Sequence, residues 1–223
     1  MLSVLRTIGM IEHLGIFLPD YETHFQRMLD KSLKKDNCVR YQHRVRDHAI
    51  SLLDRKRIAL DIGANVGLWT MDLVKDFEHV HSFEPVNDFQ DCLVKNTKQD
   101  NYTLHPIALG EVEAEIDMII TPDNTGHSHV NPNSFGRGKT PMRTLDSLNI
   151  TDIDLIKVDC EGYEVPILNG AKETILSNRP MMIVEQQDHE YQQDRETLPA
   201  VQLLESWGMK RVINFNKDWI LTW

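Results

Sequence analysis

The chain has 223 residues, 41% of them hydrophobic and 26% charged. That length holds one core with a short appendage rather than two full domains, and the composition excludes a disordered chain. A formal net charge of -10 argues against nucleic acid as the main substrate, because a phosphate backbone calls for a basic surface, although a local basic patch stays open.

Residues 1–36 show irregular apolar spacing interrupted by Gly9, Gly15 and Pro19, and are read as a broken helical segment. A second helix is predicted from about Cys38 to Leu53, with Val45, Ala49, Leu52 and Leu53 as its buried stripe. Residues 1–54 are therefore expected to form an N-terminal helical extension and residues 55–223 the main domain. Short apolar runs then alternate with helical patterns. The predicted strands are Ile58–Ile62, His79–Glu84, Thr103–Leu109, Asp154–Asp159 and Met181–Glu185. The helices between them are Leu68–Val74, Asn87–Thr97, Pro166–Ser177 and Leu198–Trp207. Such alternation implies an α/β fold with a mostly parallel sheet covered on both faces. Lys210–Phe215 and Trp219–Trp223, joined by Asn216, Lys217 and Asp218, read as a closing antiparallel hairpin.

Residues 111–148 interrupt the alternation. Glu111–Ile120 and Thr140–Leu145 can pair as strands, and the polar stretch between them reads as a lid over about 121–139.

The strongest local signal is DIGANVG, Asp61 to Gly67, between a strand and a helix. Gly63 permits a sharp turn off the strand, and Gly67 a close approach. The free N–H groups of Ala64, Asn65 and the helix start can hold a carboxylate. Asp61 can order the loop or meet an ammonium group. Glu84 follows roughly 20 residues on, at the next strand tip, where an acid accepts hydrogen bonds from ribose hydroxyls. Asn65 stands where a dinucleotide fingerprint needs its second glycine, which favours adenosylmethionine over NAD. Ala108 leaves room for an adenine ring, although simple packing explains it equally.

Open α/β sheets place ligands at the carboxyl ends of their strands, where acids could take a proton or hold a metal. Asp159 and Glu185 end adjacent strands, with Glu161 close by, and they could share a proton or bind a divalent cation. Glu164 is read as a helix N-terminal acid. Lys157 shares the face of Asp159; it either pairs with an acid or orients a substrate. His127 and His129 lie on the lid, His127 beside the Gly126 hinge, and are candidates for a catalytic or ligand role. Arg137 and Lys139 could meet an anionic substrate but read more simply as a solvated loop. Cys160, between two acids, is a poor nucleophile. Trp207, Trp219 and Trp223 read as packing.

The segments DIGANVGLWT, HSFEPV, HPIALG, TLDSL, IDLIKVDCEGYEVPILNGAKETI and PMMIVEQ resemble the FkbM-type family of class I methyltransferases over Ile58 to Gln187. The resemblance implies a Rossmann-like fold, bound S-adenosylmethionine and O-methylation of a sugar, lipid or small-molecule hydroxyl. The rival readings are a non-catalytic adenosylmethionine-binding protein and an NAD-dependent oxidoreductase. Cys38, Cys92 and Cys160 suggest no disulfide framework. No apolar run approaches the ~20 residues of a membrane span, and no signal peptide is read, so the expected location is cytoplasmic. Oligomeric state is not legible.

Overall fold

The computed structural model describes residues 9–186 and 198–223. The first described residues form a hairpin where the broken helix was expected, the rest of that expectation, residues 1–8, lying outside the described residues: β1 (Met10–His13) pairs antiparallel with β2 (Ile16–Pro19). Leu14 and Gly15 both take positive φ between them, the backbone that a two-residue hairpin turn demands. The glycine read as a helix breaker is thus a turn former. Helix α1 (His24–Asp36) buries Phe25 and Leu29 and ends on Asn37 in the left-handed conformation. Helix α2 (His43–Ser51) buries Val45, Ala49 and Ile50, whereas Leu52 is 45% exposed and lies beyond its end. Residues 38–42 are not helical, and Gln42 stands in the left-handed region just before α2.

The core follows as β3 (Ile58–Ile62), α3 (Thr70–Leu73), β4 (His79–Phe83), α4 (Asn87–Asn96) and β5 (Tyr102–His105). The predicted strand Thr103–Leu109 is in fact two. Pro106 lacks an N–H and ends the ladder, and β6 (Ala108–Leu109) crosses to a separate sheet. Then come β7 (Ala114–Ile116), β8 (Met118–Ile119), β9 (His129–Val130) and β10 (Thr140–Arg143). As expected, β7 and β10 pair antiparallel, while β8 turns away to pair with β9. The chain continues through β11 (Ile153–Val158), α5 (Glu164–Asn169), α6 (Lys172–Asn178), β12 (Met181–Glu185), α7 (Pro199–Ser206), β13 (Lys210–Phe215) and β14 (Asp218–Thr222). The predicted helix over 166–177 breaks at Gly170, where a Cβ would lie 2.0 Å from the Gly110 carbonyl oxygen. Two segments pack there too closely for any other residue.

The main sheet has seven strands in the order β13-β14-β12-β11-β3-β4-β5. The five from β12 to β5 by way of β11 are parallel, and β14 inserts antiparallel between β12 and β13. All six residues of β11 are buried, which suits a central strand covered on both faces. One face packs Leu60, Ile156 and Met182 against α5 to α7; the other packs Ala59, Leu155 and Ile183 against α2 and α3. The N-terminal hairpin and α1 do not stand apart. Leu18 and Leu29 share a cluster with Val66, Leu68 and Cys92, beside the loop that follows β3. Trp207, Trp219 and Trp223 lie against the first core face.

Candidate active site

The carboxyl ends of the parallel strands meet at one edge of the sheet, where open α/β folds bind ligands. The loop after β3 leaves that edge at Gly63, whose φ is +78 and whose Cβ would fall 2.0 Å from the Asp159 carbonyl oxygen. Only glycine lets β3 and the chain after β11 approach this closely. Gly67 lets α4 pack closely: a Cβ there would meet the Leu93 side chain at 2.8 Å.

An open cleft runs along this edge. Gly63, Asn65, Glu84 and Asp159 supply its polar wall, and Phe83, Ile107, Ala108 and Val130 much of its apolar wall. Glu84 is 4% exposed. Its two carboxylate oxygens accept the backbone N–H groups of Asn65 and Val86, each at 2.8 Å. Burial nevertheless pushes its carboxyl up to about 7. Each oxygen keeps a lone pair for a further donor, as a ribose diol would supply. The apolar wall offers a slot for a flat ring. These residues fit adenosylmethionine.

A second cavity of about 830 Å³ adjoins the first through Gly63, Asn65, Asp159 and Glu161. Ala64, Lys157, Glu185 and His127 line it from the core and the lid. His24, Phe25, Met28, Tyr41 and Gln42 close it from the N-terminal segment, with Trp69 beside them. Gln42 is fixed there by the Trp69 indole N–H, which donates to it at 2.5 Å. Sequence reasoning missed this N-terminal wall because residues 1–54 carry no motif.

Lys157 sits beneath the junction. Its ammonium donates to the Gly63 carbonyl at 3.1 Å and lies 3.5 Å from both Asp61 and Asp159. Those acids hold its pKa above the ordinary value despite burial. Asp61 is fully buried, accepts the Thr70 hydroxyl at 2.7 Å and lies on neither cavity wall. Its contacts, Thr70 and Lys157, lie beneath the loop.

Asp159, Glu161 and Glu185 offer carboxylate oxygens that all lie within 4.8 Å of one another. Lys157 and a hydrogen bond with Glu185 hold Asp159 low although burial opposes them. Burial and Asp159 push Glu185 up to about 11. Glu185 therefore holds the proton that the ionised Asp159 accepts. Glu161 is raised to about 8, by burial and then by Asp159. Glu164 has a local role: one of its oxygens accepts the N–H groups of Cys160 and Gly162. Burial and Glu164 push the Cys160 thiol up, which disfavours a nucleophile. His127 reaches the second cavity, whereas His129 faces a separate hollow beside Phe135. Arg137 and Lys139 are exposed and line none of these cavities.

A model of the methyltransferase FkbM domain matches residues 61–210. The chain belongs to the FkbM methyltransferase family. By family it is an adenosylmethionine-dependent methyltransferase. A crystal structure of methyltransferase FkbM from Methylobacillus flagellatus is similar at 21% identity and a TM-score of 0.50, with 77% of this chain and 44% of that one covered. This FkbM chain thus spans less than half the length of that protein. The N-methyltransferase NodS from Bradyrhizobium japonicum is similar at 9% identity and a TM-score of 0.50, with 86% of this chain and 96% of that one covered. At such identities the likeness carries the Rossmann-like fold alone. No curated protein matches the chain in sequence. No helix among the described residues is long and apolar enough to cross a membrane.

Proposed function

We propose that this FkbM methyltransferase O-methylates a hydroxyl of a sugar, lipid or small molecule, with Asp159 accepting the hydroxyl proton. One observation carries the reading: the Asp159–Glu185 pair lies where the cofactor cleft opens into a polar cavity. Adenosylmethionine, when bound, supplies a methyl group already activated on a sulfonium. The chain's own task is then to align, dry and deprotonate. Glu84 and the loop from Gly63 to Asn65 hold the cofactor, with Ala108 in the apolar wall. Lys157 holds Asp159 ionised and anchors Gly63, so it positions both halves of the site. An ionised Asp159 accepts a hydrogen bond from the hydroxyl and takes the proton as the oxygen gains its methyl group. A base of low pKa suffices, because an alcohol becomes strongly acidic as its new bond forms. His127, on the lid side of the cavity, faces the acceptor.

The mutual approach of Asp159, Glu161 and Glu185 favours a second reading, in which a divalent cation bound there lowers the pKa of the hydroxyl. The test is Asp159→Asn. S-adenosylhomocysteine affinity is expected to stay within about twofold while turnover on hydroxylated acceptors falls about 100-fold or more. Normal turnover by the variant defeats the role of Asp159. Loss of wild-type turnover on chelation, restored by magnesium or manganese, selects the cation reading. A wild type that binds the cofactor and methylates no hydroxyl defeats O-methylation.

A further inference from the structure

The second cavity continues past Gln42. It shares Met28, Tyr41 and Gln42 with an open groove of about 1040 Å³. Lys31, Lys35, Arg40 and Arg44, all exposed, outnumber the two acids of that groove, Asp36 and Asp218. Among the described residues none of the four forms an ion pair. They come from one short stretch, residues 31–46, where Lys31, Lys34, Lys35, Arg40, Arg44 and Arg46 are accompanied by one acid, Asp36. The whole chain has 34 acids against 24 bases, so the stretch runs against the average.

Helix electrostatics explains only part of it. Lys34 and Lys35 lie in the last turn of α1, where a cation is favoured. Arg46 is committed to Asp47 and Asp72. Arg40 and Arg44 have no such reason. Arg44 stands in the first turn of α2, which has no acid and where the helix dipole disfavours a cation. A set of unpaired cations, one of them held against a helix dipole, continuous with a substrate cavity is complementary to an anion.

We propose that the groove binds the anionic tail of the acceptor, and that the acceptor is a soluble phosphate or diphosphate ester of a polyhydroxy compound, such as a sugar phosphate. This rests on the O-methylation reading. The ring lies among Phe25, Tyr41 and Trp69 with its hydroxyl at Asp159, and the phosphoryl oxygens meet Lys35, Arg40 and Arg44. Arginine forks match phosphoryl oxygens in pairs, and four cations exceed what one carboxylate would occupy.

The experiment titrates inorganic pyrophosphate into the S-adenosylhomocysteine-loaded chain by calorimetry, for the wild type and for K35E/R40E/R44E. In parallel it measures methyl transfer to a free hexose, its 1-phosphate and the UDP-hexose. Pyrophosphate is expected to bind the wild type, more weakly as salt is added, and about tenfold or more weakly in the variant. S-adenosylhomocysteine is expected to bind both alike. The phosphorylated hexoses are expected to show kcat/KM about tenfold or more above the free hexose. Absent pyrophosphate binding, or binding that the triple variant leaves unchanged, overturns the proposal. Pyrophosphate binding without transfer to any hydroxyl supports the groove and sinks O-methylation instead. Transfer to the free hexose without pyrophosphate binding does the reverse. Sedimentation with phosphatidic acid vesicles, but not with phosphatidylcholine vesicles, lost in the variant, overturns the soluble source in favour of a lipid headgroup.

Discussion

Glu84 shows how much of the proposed cofactor site rests on one side chain. Its two oxygens hold the N–H groups of Asn65 and Val86, so it shapes the glycine loop as well as carrying the proposed ribose contact. Glu84→Gln keeps the size but turns one acceptor into a donor, which must face an N–H. The expected cost is about 1–3 kcal/mol of stability, read as a lower Tm. S-adenosylhomocysteine affinity is expected to fall about tenfold or more in calorimetry. Unchanged affinity removes Glu84 from the cofactor site. Lys157 is the counterpart among the cations. A buried ammonium is tolerable only because Asp61, Asp159 and the Gly63 carbonyl surround it.

The lid is more ordered than its polar composition suggests. Asn65 is the pin that joins it to the cofactor loop. Its amide nitrogen donates to the Thr125 carbonyl at 3.0 Å, and its carbonyl oxygen accepts the Val66 N–H at 2.8 Å. Glu22, fully buried beside α1, accepts the Thr125 N–H at 2.6 Å and the Phe25 N–H at 2.7 Å. Three segments distant in the chain are thus clasped at one residue, Thr125. Asn65→Ala removes one hold and leaves the Thr125 carbonyl with the Ser128 N–H alone, at 3.2 Å. Amide hydrogen exchange is expected to quicken across residues 121–130, while β3 and β11 stay protected. Equal protection of the lid in the variant shows that Asn65 is not the pin.

Over the whole molecule, buried carboxyl groups set the response to pH. Glu84, Glu164 and Asp218 are each raised to about 7, first of all by burial. In the unfolded chain the same groups ionise near their ordinary values of 4.5 for glutamate and 3.8 for aspartate. Their folded pKa lies above the unfolded one, so the stability they confer is complete below the unfolded value. It is lost as pH rises through about 7, where the folded chain must ionise buried acids. The Tm of the ligand-free protein is therefore expected to fall between about pH 5 and pH 7. A Tm that rises across that range contradicts these environments.

Local chemistry made much of this architecture legible. The alternation from Ile58 to Glu185 and the terminal hairpin were readable because strand and helix periods, and turn residues, act within a few positions. The Gly63 turn and the Glu84 strand tip were readable for the same reason. The N-terminal hairpin was not, because a positive φ at Leu14 contradicts that residue's own preference. Nor was the break at Gly170, which depends on Gly110, a residue 60 positions away. By itself the amino-acid order determined the family's strand-and-loop pattern and placed its acids at strand tips. Only the tertiary structure decided that Asp61 lies under the loop, that Asp159, Glu161 and Glu185 converge, and that residues 24–42 wall the second cavity. Those outcomes depend on burial and on distances between segments remote in the chain, which no local pattern encodes.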